Sequence, residues 1–390
     1  VDRKNIKIRF TNNKSKTMNI NHKPSMIQTL KVIIAGGGTG GHIFPAIAIA
    51  NALKQQEPSI QILFVGANGK MEMEKIPQAG YNIKGIDIAG FNRSSLIKNI
   101  SLPFKLIKSF FQVRHIFKAF SPNAAIGVGG YSTFPVLKYA QAKSVPTFIH
   151  ESNSFAGKAN IMLGRNAVKI FVATNGMQPF FPENKLVVTG NPVRKEIAQN
   201  NITKEEALAF FNLNKNKKTV LVIGGSLGAK SINDAIANNI NVFEENNLQL
   251  IWQTGKLAAN DYHKLTANKN NIWCNHFINQ MEMAYKAADI VVSRAGAMAV
   301  TELSISGKAV IFVPFPFAAE DHQTVNAKVL VNKNAALMIK DNETKEKLIS
   351  EVIKLSKNEE LMEVLRSNIS LKAIADADTI IAKEILNTIK

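Results

Sequence analysis

The chain has 390 residues, 46% of them hydrophobic and 20% charged, and a formal net charge of +19. That is enough for two ordinary domains with two buried cores. A single cysteine, Cys274, excludes an internal disulfide and any cysteine-based zinc site. The charge implies anionic partners: nucleic acid, anionic lipid or a phosphorylated substrate.

In chain order, Val1–Ser25 carries seven cations against Asp2 and shows no periodicity. It reads as a disordered basic tail, an extension before Met26, and not as a secretory signal, since no apolar core follows it. Lys31–Ala35 is a short apolar run entering a glycine loop, Gly36–Gly41. A helical pattern follows from Ile43 to Gln55, with Ile43, Ile47 and Ala50 on one face. Apolar runs then recur near Ile60–Val65, Ala124–Val128, Val145–Ile149, Val168–Val172 and Leu186–Val188. Turn residues cluster at Gly190-Asn191-Pro192, where a domain boundary is expected.

The second half repeats the plan. Thr219–Ile223 enters Gly224–Ala229, and a helical pattern starts at Ser231. Further runs lie at Leu248–Trp252, Ile272–His276, Ile290–Ser293 and Ala309–Val313. Continuous Val/Ile runs alternating with helices imply parallel strands buried on both faces. The expected fold is therefore α/β, with two doubly wound domains, ligands at the carboxyl ends of the strands and a cleft between. No run reaches the roughly 18 apolar residues that span a bilayer.

The glycine loops bring backbone close to an anion, and each is followed by the positive end of a helix. Gly36, Gly38 and Gly41 satisfy the dinucleotide spacing, so a nicotinamide or flavin oxidoreductase is one reading. That reading wants an acid closing the second strand, which instead ends in Gly66-Ala67-Asn68. His42 opens the helix beside this loop. In the second half, Ser226 adds a hydroxyl to the loop's donors. Gly296 opens a helix at Ala297, and Glu302 lies more than one turn inside it, either facing ribose hydroxyls or as an exposed helix glutamate. His150-Glu151-Ser152-Asn153 and Glu320-Asp321-His322-Gln323 end strands with polar groups suited to sugar hydroxyls. A metal site is poorly supported by one histidine beside adjacent acids. Neither a nucleophile elbow nor a Walker loop occurs.

From Ile88 to His150 there is no Asp or Glu. Arg93, Lys98, Lys105, Lys108, Arg114 and Lys118 alternate with more apolar residues than one helix face can bury, Phe104, Ile107, Phe110 and Phe111 among them. Such a surface fits an anionic membrane. Nucleic acid would use the same cations, but Tyr and Trp for stacking are missing from this basic part and no binding motif is visible.

Gly37-Gly38-Thr39-Gly40-Gly41-His42, Gly129-Gly130-Tyr131, His150–Asn153, Asn191-Pro192-Val193-Arg194, Gly224–Ala229, Arg294–Glu302 and Asp321-His322-Gln323 occur in the order of the MurG transferases. The chain resembles that family from about Lys31 on. The departures are Ser152, where glutamine is frequent, and Ser132-Thr133-Phe134-Pro135. The resemblance implies a GT-B fold without cofactor or metal. It implies an acceptor- and membrane-facing domain at 26–190, rejoined by a final helix at about 372–390, and a UDP-GlcNAc domain at 191–371. It implies that Ser226, Ile278 through its backbone, Arg194 and the segment Ala297, Met298, Ala299, Val300, Thr301 and Glu302 hold UDP. Gln323 and Asn153 would touch N-acetylglucosamine; Thr39, Gly40 and Gly41 would face donor sugar and acceptor diphosphate. The implied partners are UDP-GlcNAc, undecaprenyl-diphosphate-linked muramoyl-pentapeptide (lipid I) and the anionic surface on the cytoplasmic face of the bacterial inner membrane, with no nucleic acid. The reaction would invert the anomeric carbon, with His42 as base and Glu151 as second choice. Another UDP-sugar transferase with a different lipid acceptor is the alternative.

Overall fold

The computed structural model describes residues 29–90, 100–198, 201–225, 227–256, 259–318, 321–371 and 374–390. Thirteen strands among them form two sheets. The first contains β1 (Lys31–Ala35), β2 (Gln61–Ala67), β3 (Asn82–Ile86), β4 (Ala124–Gly127), β5 (Thr147–Glu151), β6 (Lys169–Val172) and β7 (Leu186–Val188), in the order β3-β2-β1-β4-β5-β6-β7. The second contains β8 (Lys218–Ile223), β9 (Leu248–Gln253), β10 (Ile272–Asn275), β11 (Ile290–Ser293), β12 (Ala309–Phe312) and β13 (Leu337–Met338), in the order β10-β9-β8-β11-β12-β13. Every strand pair is parallel.

Parallel pairing follows from burial. Successive side chains point to opposite faces of a strand, so covering both faces requires apolar residues throughout. In β1, Val32 and Ile34 enter one core, while Ile33 and Ala35 enter the other. In β8, Val220 and Val222 face one side, and Leu221 and Ile223 the other. The expected runs therefore all became strands, with ends moved by one or two residues. β3 and β13 were not anticipated. β3 lies at an edge, only Ile86 in it is fully covered, and its sequence Asn-Ile-Lys-Gly-Ile shows no continuous run. β13 has two residues.

Helix α1 (Gly40–Gln56) begins three residues before the expected Ile43, because the glycine turn itself supplies its first turn. Helix α2 (Glu72–Gln78) joins β2 to β3, and α3 (Leu102–Phe120) precedes β4. The chain's last helix, Ala377–Ile389, packs Ile381, Ala382, Ile385 and Leu386 into the core beside α1. Burying an isoleucine or leucine contributes about 1.5–3 kcal/mol, so this helix is firmly docked. It is also tied to the first half by Gln56 Nε2, which donates to the Thr379 carbonyl at 2.9 Å, and by a Lys169–Glu384 ion pair.

Both sheets reverse their winding direction next to their first strand: between β1 and β4, and between β8 and β11. Loops diverge at such points and leave a crevice at the carboxyl ends of the strands. Each glycine loop sits at one of them.

Candidate active site

At the first crevice, β1 runs into Gly36-Gly37-Gly38 and then into α1. The Gly38 N–H, expected to meet a substrate anion, is already occupied: it donates to Glu72 Oε2 at 2.7 Å. Glu72 Oε1 accepts from the Ala67 N–H at 3.0 Å. This is a correction to the sequence reading. The second strand ends at Ala67 without an acid of its own, but a carboxylate from α2 reaches its end and binds the loop's own backbone. The donors left for a ligand are the first N–H groups of α1, at Gly40 and Gly41, which have no carbonyl one turn behind them. Thr39 is the residue before the helix; its side chain is exposed and makes no capping bond, while its carbonyl accepts from His42 and Ile43.

The imidazole of His42 is half-buried at this point. Its Nδ1 lies 3.0 Å from the Gly37 carbonyl. A carbonyl can only accept, so Nδ1 carries the proton and Nε2 the lone pair. Burial, the largest influence, pushes the His42 pKa below its ordinary value, against opposing effects of the Gly37 carbonyl, Glu151 and Glu72. The ring lies over the turn after β4. A side chain at Gly129 would place its Cβ 2.7 Å from Nε2, and one at Gly130 would meet the Gly37 oxygen at 2.3 Å. The Gly129-Gly130 pair is therefore a steric requirement of the two interlocked loops, which the Gly37 N–H to Gly129 carbonyl bond of 3.2 Å closes.

β5 delivers His150 and Glu151 to the same end of the sheet. Glu151, the second candidate base, is 4% exposed. Its Oε1 accepts from the Asn153 backbone and side-chain nitrogens at 3.1 and 3.2 Å. Its Oε2 accepts from Gly157 N at 3.1 Å and Asn160 Nδ2 at 2.8 Å. Four bonds occupy its lone pairs, so Glu151 organises the loop rather than offering itself to a hydroxyl. Asn153 is half-buried, and its carbonyl oxygen lies 3.5 Å from Asn326 Nδ2. Asn326 also accepts from Ser154 N at 3.2 Å and donates to the Ala295 carbonyl at 3.2 Å, so it bridges the two halves of the cleft. Burial holds the His150 pKa down at about 4.

At the second crevice, Ser226 lies outside the described residues, as does Glu320. Gly225 and Ile278 are linked by Gln253 at the end of β9: its Nε2 donates to the Gly225 carbonyl at 3.1 Å, and its Oε1 accepts from Ile278 N at 3.0 Å. The Ile278 N–H is thus already engaged within the protein. Ala297 opens a ten-residue helix, Ala297–Ser306. Ala297, Met298, Ala299, Val300 and Thr301 are half-buried along its first turns. Glu302 is not the exposed helix glutamate considered above: it is 7% exposed. Its Oε2 accepts from the Tyr285 hydroxyl at 2.9 Å, and its Oε1 lies 3.5 Å from Arg194 Nη2. Burial raises the Glu302 pKa, while Arg194 and Tyr285 act the other way.

Arg194 stacks over the Phe44 ring of α1 at 5.0 Å, so it touches both halves. Its Nε is buried without a partner. Asn191 donates to the Ser152 carbonyl at 3.1 Å and to Thr301 Oγ1 at 2.9 Å. Gln323 is the second residue of the helix His322–Val331, and its Oε1 accepts from Phe315 N at 2.9 Å. Arg294 braces this side, reaching the Val313 carbonyl at 3.0 Å and Asp341 at 2.5 Å.

One cleft therefore gathers His42, Glu151 and Asn153 from the first sheet with Arg194, Thr301 and Glu302 from the second. Sequence reasoning missed Glu72, Gln253, Tyr285 and Asn326. Among the described residues no group of three or more His, Cys, Asp or Glu side chains is placed to hold a metal ion.

Residues 32–172 match the glycosyltransferase family 28 N-terminal domain, and residues 219–379 match the family 28 C-terminal domain. The chain is 48% identical to the UDP-N-acetylglucosamine–N-acetylmuramyl-(pentapeptide) pyrophosphoryl-undecaprenol N-acetylglucosamine transferase of Phocaeicola vulgatus, over 92% of this chain and 96% of that protein. It is 45% identical to the transferase of the same name from Christiangramia forsetii, over 92% and 98%. Among solved structures, Acinetobacter baumannii MurG superposes with a TM-score of 0.73 at 29% identity, covering 92% of this chain and 99% of that one. A UDP-GlcNAc 2-epimerase from Neisseria meningitidis, 16% identical, shares the fold with a TM-score of 0.65 over 92% and 100%. Two doubly wound domains facing one cleft make this a GT-B fold. The chain belongs to glycosyltransferase family 28 and, within it, to the MurG N-acetylglucosaminyltransferases.

Proposed function

We propose that this protein moves N-acetylglucosamine from UDP to the 4-hydroxyl of the muramoyl sugar of lipid I, giving lipid II, by a single displacement with inversion. What supports the displacement step is the tautomer of His42. Its Nδ1–H is held by the Gly37 carbonyl, and its basic Nε2 is left at the carboxyl end of the first sheet. In this reading the acceptor hydroxyl gives its proton to Nε2 as its oxygen bonds the anomeric carbon, and UDP leaves with the bonding pair. The helix N-terminus at Ala297, the second glycine loop with Ser226, and Arg194 stabilise the charge growing on the diphosphate. Glu302 takes the ribose hydroxyls, the Ile278 backbone the base, and Gln323 and Asn153 the sugar. Thr39, Gly40 and Gly41 face the donor sugar and the acceptor diphosphate. The division we adopt is 26–190 with 372–390 for acceptor and membrane, and 191–371 for the donor. Transfer of labelled N-acetylglucosamine to a lipid I analogue, with EDTA present, tests the reading. Labelled disaccharide is expected; a folded protein that gives none overturns it.

The acceptor's lipid requires a bilayer surface, and we place the protein on the cytoplasmic face of the inner membrane. No described helix is long and apolar enough to cross a membrane. Helix α3 buries Ser109, Val113 and Phe117 yet leaves Phe104, Ile107 and Phe111 at 74%, 58% and 67% exposure, with Ile100 at 70% just before it. Lys105 and Arg114 are exposed on the same helix. Lys108 is not a free cation there: it pairs with Asp87 at 2.8 Å and holds that carboxyl down at about 2. Arg93 and Lys98 lie outside the described residues. Phe104→Ser with Phe111→Ser should reduce sedimentation with anionic vesicles by at least about tenfold. Equal sedimentation of variant and wild type would refute the surface.

A further inference from the structure

Glu72 belongs to none of the motifs that mark the site, yet it is the most buried carboxylate among the described residues, at 1% exposure. Two glycines make room for it. A Cβ at Gly37, where φ is +147°, would lie 2.2 Å from the Glu72 carboxyl carbon, and one at Gly66 would lie 2.5 Å from its Cγ. A site cleared by the ends of two different strands for one acidic side chain calls for a role beyond filling space.

The connection to the reaction runs through one peptide bond. The Gly38 N–H that donates to Glu72 and the Gly37 carbonyl that accepts from His42 are opposite ends of the same planar unit. A carboxylate accepting from the N–H end draws electron density toward the oxygen of that peptide and makes it a stronger acceptor. Carboxylate, peptide and imidazole lie in one hydrogen-bonded line, with contacts of 2.7 and 3.0 Å.

We propose that Glu72 is a positioning residue for the transfer, acting through the Gly37–Gly38 peptide to fix the His42 imidazole and to stabilise the positive charge it gains on taking the acceptor proton. The inference rests on His42 as the base. No proton passes to Glu72: the Nδ1 proton stays on the ring and the new proton sits on Nε2. A carboxylate placed directly on an imidazole N–H serves the same end in serine hydrolases; here a peptide is interposed.

The groups acting on His42 come from several elements. Glu72 on α2 and Glu151 on β5 favour the imidazolium, while burial and His322 from the second half oppose it. His150, held neutral by burial at ordinary pH, lies close by on β5. Removing the Glu72 charge should therefore make His42 harder to protonate.

The test compares Glu72→Gln, His42→Ala and the double variant in the full chain. Glu72→Gln is expected to lower kcat about tenfold or more, with little change in KM for UDP-GlcNAc, and to move the acid limb of the pH profile to lower pH. On top of His42→Ala it should add no further loss. If His42→Ala is impaired but Glu72→Gln keeps wild-type kcat and acid limb, the relay is wrong and the base is right. If His42→Ala keeps full turnover, the base assignment falls and the relay with it. Should Glu72→Gln not fold, the wild type still decides by NMR. The Gly38 amide resonance is expected to shift with the titration of the His42 imidazole, and an amide indifferent to that titration overturns the proposal.

Discussion

Replacing His42 by alanine is expected to lower turnover by about 10²-fold or more while the affinity for UDP-GlcNAc stays near normal. The separation of effects follows from geometry. His42 is fixed to the first-sheet loop through Gly37, whereas the groups assigned to UDP are borne by residues 194–302. Its loss removes a proton acceptor from the transition state without removing a contact to the nucleotide. The pH dependence has a definite sign. With His42 as the proposed base the neutral imidazole is the active form, and burial lowers its pKa below the ordinary value. Activity should thus be complete at neutral pH and fall only as pH drops through that lowered value. Single-turnover rates together with calorimetric UDP-GlcNAc binding check both parts; undiminished turnover would remove His42 from the chemistry.

Glu302→Ala should give the opposite split, raising KM for UDP-GlcNAc by about 10- to 100-fold. A hydrogen bond to a charged group contributes about 1.5–3 kcal/mol, and the proposed role of this carboxylate at the ribose puts the loss of one such bond in that range. The change also leaves the buried Tyr285 hydroxyl and the half-buried Arg194 guanidinium without their partner. Folding stability should therefore fall by on the order of 2 kcal/mol. Glu302→Gln, which can still accept from Tyr285, should recover much of the stability and less of the affinity. Initial rates against donor concentration, with urea unfolding of the same variants, decide the matter. An unchanged KM in the alanine variant would place the ribose elsewhere.

The fold was legible because both faces of each sheet are covered: the Val32–Ala35 and Val220–Ile223 runs carry that condition in their composition. The edge strand Asn82–Ile86 was not, because an edge needs no continuous apolar run. Within the site, glycine turns announce themselves by composition, so both loops and His42 could be found from spacing. Glu72 could not. It stands 34 residues from Gly38, in a Met-Glu-Met-Glu-Lys segment that reads as an ordinary helix surface, and only the β2–α2 connection turns it inward. Gln253, Tyr285 and Asn326 were hidden for a related reason. Each is a single polar residue in an apolar or mixed segment, and its task is set by a partner distant in sequence. The same holds for Lys108, whose pairing with Asp87 depends on how α3 meets the loop after β3.

The most direct measurement is the proton NMR spectrum of the disaccharide formed from UDP-GlcNAc and a lipid I analogue. A new β-linkage to the muramoyl 4-hydroxyl is the expected result, since a single displacement on the α-linked donor inverts its anomeric carbon. An α-linkage, attachment at another hydroxyl, or no disaccharide from a folded protein would contradict the account.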